Sequence, residues 1–254
     1  MMFDDLLPLN QRSSKNKTLR EIGIDCRKDC FDLKWFDSYP STITYEINSL
    51  GFRDQEHSDL RKKVFAIGDS FTVGLGQPYE ETWAVMLQNM IGEPIVKLSS
   101  NGASNDWIHA IFDRACDLEP KAIFVMLSYV HRQLIKGKDG SIEHLHVDEA
   151  DAFDDEQWAE KMSERTRSHI DSMIQIAADA GFPVFFTAVP AFDYVHLSSD
   201  IRKELVQYNR LQRNTRTDVL KKANDLARDG LHFGKKTCEE IAKNLYIRYR
   251  EEDR

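Results

Sequence analysis

The chain has no excess of positive charge. Its 254 residues carry 34 Lys and Arg against 42 Asp and Glu, a formal net charge of −8. A nucleic-acid surface needs clustered Lys and Arg to neutralise phosphates, so this balance speaks against a nucleic-acid partner. The basic stretches at 12–20 and 61–63 are too short to reverse it. Long apolar runs are missing as well, and none approaches the roughly 20 residues of a membrane-spanning helix. The N-terminus, MMFDDLLPLNQRSSKNK, places acids before a very short apolar patch, unlike a secretory signal. Together these absences predict a cytoplasmic protein with reduced thiols and no membrane span. Cysteine is scarce: Cys26, Cys30, Cys116 and Cys238. Cys26 and Cys30 form a C-x3-C pair, but no second Cys or His pair at zinc-site spacing accompanies it, and zinc usually takes four ligands. Free thiols, no metal and no catalytic role are expected for this pair. Internal repeats and low-complexity tracts are also absent.

What is present is ordinary for a soluble globular chain: 41% hydrophobic and 30% charged residues. The length suits one large α/β domain, or one domain with an appended segment. Short apolar runs at 64–67, 94–98, 122–127 and 183–189 read as strands. Helical spacing of apolar residues appears at 78–91, 104–118, 163–180, 202–227 and 235–250, with Gly92 and Gly181 as stops and Ser104 or Asn105 as an N-cap. Strands apolar on both faces, alternating with helices, predict a parallel sheet covered on both sides. The expected fold is a doubly wound, three-layer α/β/α sandwich over about residues 61–254. Ligands in such folds sit beyond the C-terminal ends of the strands. Ser70, Gly102 and residues 128–132 all follow predicted strands and would gather there.

Two regions depart from the alternation. Residues 1–60 lack helical periodicity but contain Thr-Ile-Thr-Tyr-Glu-Ile, a strand-like alternation, and several aromatics. They are expected to be an ordered extension packed on the domain. Residues 136–158 are an acidic insertion, read as a solvated surface loop or, alternatively, as a lid over the site.

The stretch VFAIGDSFTVGLG, residues 64–76, raises the functional question. Ser70 is either a nucleophile at the end of a buried strand or a turn serine. A nucleophile needs a base, an orienter for that base and an oxyanion site. Among eight histidines, His232 stands out in ARDGLHFG, a tight loop marked by Gly230 and Gly234, with Asp229 three residues before it. In such a turn both side chains can face one side, so that the carboxylate fixes the imidazole tautomer. A nucleotide-binding reading of Gly74-Leu75-Gly76 is weaker, since the third glycine is missing and the stretch does not directly follow the strand.

Gly68-Asp69-Ser70 after the first strand, SSNGASND after the second, and DGLHFG before the last helix together resemble the SGNH (GDSL-like) hydrolases. The resemblance covers about residues 60–254. It implies a flavodoxin-like fold and a serine esterase with Ser70, Asp229 and His232 as triad, no cofactor, and backbone N–H groups of Ser70 and Gly102 as the oxyanion hole. Small acyl or O-acetyl esters, those of carbohydrates included, are the substrates implied, since the chain shows no long apolar lid helix. The third block departs from the family pattern. Its asparagine would be an oxyanion donor, yet LSYVHRQ places Val130 there, and valine donates nothing. Asn105 and Arg132 are the nearest substitutes, Arg132 also as a contact to an acidic substrate. Their bland roles are a helix N-cap and an ion pair. The alternative is a catalytically weak or inactive protein that keeps the fold for binding or structure.

Overall fold

The computed structural model describes residues 2–146, 156–189 and 225–252. Residues 2–60 contribute only short elements: helix α1 (Leu9–Ser13), strand β1 (Lys17–Leu19), helix α2 (Leu33–Asp37) and strand β2 (Tyr45–Ile47). The alternation seen at Thr-Ile-Thr-Tyr-Glu-Ile becomes β2, with Tyr45 and Ile47 inward and Glu46 outward, and β2 pairs antiparallel with β1. Phe3, Leu6, Leu7 and Phe52 of this segment are buried in the main core.

From there the chain alternates. Strand β3 (Val64–Gly68) leads into the single-turn helix α3 (Ser70–Val73). Helix α4 (Trp83–Ile91), strand β4 (Ile95–Ser99), helix α5 (Asn105–Cys116) and strand β5 (Ala122–Leu127) follow. After the hairpin β6 (Arg132–Lys136) and β7 (Ile142–His146) come helix α6 (Glu156–Ala180), strand β8 (Val184–Ala188) and helix α7 (Lys235–Glu252). The four core strands are parallel in the order β4-β3-β5-β8. Alternation of side chains along each strand builds two cores. Phe65, Ile67, Ile123 and Val125 face α5 and α6, whereas Val64, Ala66, Phe124 and Met126 face α4 and α7. The result is the expected three-layer sandwich with a flavodoxin-like parallel sheet. Because β3 has β4 on one side and β5 on the other, the chain reverses its winding there, and the crevice opens at the C-terminal ends of β3 and β5.

Three sequence expectations need correction. The segment after β5 begins as an antiparallel hairpin, Arg132 opposite His146, and is not simply a loop. Its remainder at 147–155 lies outside the described residues. Helix α6 spans Glu156–Ala180, starting seven residues before the expected 163, and its added turns bring Met162, 4% exposed, into the α5-side core. Most of the helix expected over 202–227 also lies outside the described residues. Its last positions are not helical, for Leu226 forms a bridge with Phe233.

Lys97 interrupts the apolar pattern of β4. Its Nζ lies 4.5 Å from the Tyr79 ring centroid and has no hydrogen-bond partner among the described residues. Burial, reinforced by Arg53 and opposed by Asp54, pushes its pKa down to about 7. A lysine with a depressed folded pKa costs most below that value, where its charge must be buried. The penalty shrinks as pH rises from about 7 towards the ordinary lysine range. Lys97→Met is therefore expected to raise the melting temperature at about pH 6, and to raise it less at about pH 9. Equal shifts at both pH values would show that the amine does not titrate in this window.

Candidate active site

Gly68 ends β3, and the chain turns at once into α3. The turn is tight: a Cβ on Gly68 would stand 2.1 Å from Thr72 Oγ1 and 3.1 Å from the Met126 carbonyl oxygen. Asp69 caps the new helix, its carboxylate accepting from Phe71 N at 3.0 Å. Ser70 is thus the first residue of a helix, and its backbone N–H is one of the orphan donors found there. No described residue accepts that N–H, nor that of Gly102. Gly102 lies in the loop after β4 with φ +76, a backbone shape that favours glycine.

The loop 225–234 approaches Ser70 from the other end of the chain. It is pinned by Ala227 N to His232 O (2.9 Å), Gly230 N to Ala227 O (2.9 Å) and Gly234 N to Asp225 O (3.2 Å). Gln77 donates from its side chain to the Phe233 carbonyl. His232 Nε2 lies 2.8 Å from Ser70 Oγ, and His232 Nδ1 lies 2.6 Å from Asp229 Oδ2. The other Asp229 oxygen accepts from the backbone N–H of Leu231 (2.9 Å) and His232 (3.0 Å). Burial pushes the Asp229 carboxyl up, but the His232 charge and these hydrogen bonds outweigh it and hold the pKa below the usual carboxylate value. The imidazole rests on Phe71, ring centroids 4.5 Å apart. The structure thus brings Ser70, His232 and Asp229 into one hydrogen-bonded line.

Of Gly74-Leu75-Gly76, it is Gly76 that serves this loop. Gly76 has φ +74, and an added Cβ would meet Ala227 Cβ, Arg228 N and Asp229 N, each at 3.0 Å. Its carbonyl accepts from Arg228 N at 2.8 Å, and its N–H donates to the Tyr45 hydroxyl at 2.9 Å. Tyr45 donates to Asp25, which also takes a two-pronged bond from Arg228, 2.8 Å from each of Nε and Nη2. The ring Arg228–Gly76–Tyr45–Asp25 is closed, and it ties the N-terminal segment to the residue just before Asp229. Sequence reasoning missed it. Asp25 and Arg228 stand 203 positions apart, and no local spacing marks them.

Neither substitute oxyanion donor points as the sequence suggested. Asn105 Oδ1 accepts from Ser128 N (2.8 Å), while its Nδ2 donates to Ser128 O (3.2 Å) and Thr166 Oγ1 (3.4 Å). Nor is Asn105 the cap of α5, because Ser104 accepts from Trp107 N at 3.4 Å and fills that place. Arg132 Nη1 donates to Asp69 Oδ2 and to Ser128 Oγ, at 2.8 and 2.9 Å. Ser128 Oγ itself donates to Asp69 Oδ2 at 2.8 Å. Val130 is buried within the α5-side core. So Asn105, Ser128 and Arg132 form a support behind Asp69, and Asp69 holds the start of the helix that carries Ser70.

No protein-family model matches this chain, and no curated protein matches it in sequence. Solved structures do. A protein from Desulfitobacterium hafniense DCB-2, described as lipolytic and of the G-D-S-L family, superposes with a TM-score of 0.50 at 16% identity, over 74% of this chain and 99% of that one. A protein from Bacteroides fragilis described as an acylhydrolase gives 0.45 at 12% identity, over 79% of this chain and 92% of that one. The acetyl xylan esterase Est2A from Butyrivibrio proteoclasticus gives 0.46 at 12% identity, over 84% and 68%. At these identities the likeness is one of fold, and the first of them shows it: the chain has the SGNH-hydrolase fold. Among the described residues no helix is long and apolar enough to cross a membrane.

Proposed function

We propose that this protein is a serine esterase that cleaves small acyl or O-acetyl esters through an acyl-enzyme. The observation that carries the reading is the line Ser70 Oγ, His232 Nε2, His232 Nδ1, Asp229 Oδ2, with contacts of 2.8 and 2.6 Å at its two joints. His232 Nε2 takes the Ser70 proton as Oγ attacks the ester carbonyl. Asp229 accepts the Nδ1 proton's hydrogen bond, fixing the tautomer and stabilising the imidazolium. The developing oxyanion is held by the backbone N–H groups of Ser70 and Gly102. His232 then gives the proton to the leaving alcohol, and water repeats the cycle to free the acid. Neither metal nor organic cofactor enters any step. Labelling with a fluorophosphonate probe tests the reading: the native chain should label and Ser70→Ala should not. An unlabelled native chain would sink it.

A binding or structural role is the rival reading, and Val130 in the core is the observation that favours it. An incomplete oxyanion hole lowers activity, since one missing donor costs roughly 3 kcal/mol of transition-state stabilisation. It does not account for three triad residues held within hydrogen-bonding distance.

Asn105 acts in this reading as a positioning residue. Asn105→Ala would leave the buried Ser128 N–H without its acceptor, a loss of about 1–3 kcal/mol. It is expected to lower stability by that amount while kcat stays within about tenfold of the native value. A fall of about 10²-fold in kcat at unchanged KM and stability would instead make Asn105 an oxyanion donor.

A further inference from the structure

Helix α3 has a second end, and Ser70 depends on it. The peptide unit that carries the Ser70 N–H is held from behind, for its carbonyl, Asp69 O, accepts from Thr72 N and Val73 N at 2.9 Å each. Ser70 O in turn accepts from Gly74 N (3.0 Å) and Leu75 N (3.3 Å). Where residues 72–75 stand therefore decides where the nucleophile and its oxyanion donor stand. A one-turn helix cannot fix them by itself, because its last carbonyls have no partner within it.

Arg53 supplies those partners. Its Nη1 donates to Val73 O (3.2 Å) and Gly74 O (2.6 Å), and its Nη2 donates to Gln77 O (2.9 Å) and Thr44 O (3.0 Å). The planar fork thus holds three carbonyls of the segment 73–77 at once, a geometry that a lysine ammonium on its flexible stem does not reproduce. The residue is 2% exposed, and its guanidinium lies over the Tyr45 ring, 4.1 Å from the centroid. Burial pushes its pKa down to about 10, which leaves it charged at neutral pH. A cavity of about 460 Å³, with Arg53, Val73 and Ser99 on its wall, interrupts the packing on this side of α3. Directed hydrogen bonds therefore carry more of the task of placing the helix.

The same turn reaches the other half of the site. Gly76 O accepts from Arg228 N, next to Asp229, and the Gln77 side chain donates to Phe233 O, next to His232. Arg53 stands at the junction between the helix of Ser70 and the loop of Asp229 and His232. Resting on the esterase reading, we infer that Arg53 is a positioning residue of the triad, its fork holding α3 and the turn 74–77 at the spacing that lets Ser70 meet His232. It acts through backbone carbonyls and takes no part in the chemistry.

Arg53→Ala and Arg53→Lys test this with 4-nitrophenyl acetate, kcat being taken per folded molecule. A misplacement of about 1 Å can cost about 10²-fold in rate. Arg53→Ala should lose that much in kcat with KM within about twofold of the native value, whereas a role in stability alone would leave the folded molecules at native kcat. Arg53→Lys keeps the charge but not the fork, and should recover no more than about tenfold of the loss. Native kcat in either folded variant overturns the inference, and Arg53→Lys carries the test if Arg53→Ala does not fold. Hydrogen exchange supplies a readout free of turnover. The amides of residues 72–75 should exchange at least about tenfold faster in Arg53→Lys, and those of β3 and β5 at the native rate. Unchanged exchange at 72–75 overturns the inference. A native chain left unlabelled by the fluorophosphonate sinks the esterase reading alone, because exchange still reads the placing of α3.

Discussion

Ser70→Ala is expected to lower kcat for a short-chain 4-nitrophenyl ester by roughly 10⁴-fold or more, and His232→Ala by a similar factor. The two losses should not add in the double variant, because nucleophile and base act as a unit. Folding should survive in both. Among the described residues the Ser70 side chain makes a single hydrogen bond, with His232, while the helix it begins is held by Asp69 and by backbone bonds. Some hydrolysis over the uncatalysed rate should persist, since the Ser70 and Gly102 N–H groups remain. Circular dichroism and urea unfolding would establish the fold, and single-turnover release of nitrophenol would read the chemistry. Turnover near the native value in purified Ser70→Ala would refute the assignment of the nucleophile.

Asp25→Ala should cause the largest loss of stability, about 3–5 kcal/mol, because it strands a buried guanidinium. Arg228 and Asp25 are 1% and 0% exposed in their side chains, and their bond is two-pronged. Removing the acid also takes away the acceptor of the Tyr45 hydroxyl, and that hydroxyl receives the Gly76 N–H. Since Arg228 adjoins Asp229, kcat should fall with little change in KM, a loosened loop affecting the chemistry more than binding. A paired change tests the physical cause. Asp25→Leu with Arg228→Met replaces the ion pair by apolar side chains and should recover most of the stability. Unfolding free energies from urea titrations check both. A single Asp25→Ala variant as stable as the native chain would show that the N-terminal segment does not brace the 225–234 loop.

Much of the architecture can be read along the chain, and much of the site cannot. Continuous apolar runs such as 64–67 and 122–127 announce buried parallel strands because both faces of such a sheet are covered. Each run is short enough to be local, and alternation with helical spacing then leaves few topologies. The hairpin β6–β7 escaped because β6 mixes polar and apolar residues that are half-buried or exposed, so neither alternation nor an apolar run marks it. Its pairing is a property of two segments together.

The site divides along the same line. Ser70, Asp229 and His232 stand in short blocks whose local geometry can be foreseen: a strand that ends in a cap, and a tight loop with two glycines. Asn105 and Arg132 also lie in the right neighbourhood. Sequence position, however, does not say where a side chain points. Packing turned Asn105 onto Ser128 and Arg132 onto Asp69, where buried backbone groups and a buried carboxylate had to be satisfied. The ring through Asp25, Tyr45, Gly76 and Arg228, and the cavity with Ser99 and Arg53 on its wall, come from residues far apart in the chain. The sequence by itself determined the layers, the order of elements and the chemistry available at the strand ends. Only the tertiary structure decided which polar groups meet, because desolvation makes each buried group's partner a matter of the whole fold and not of its neighbours in sequence.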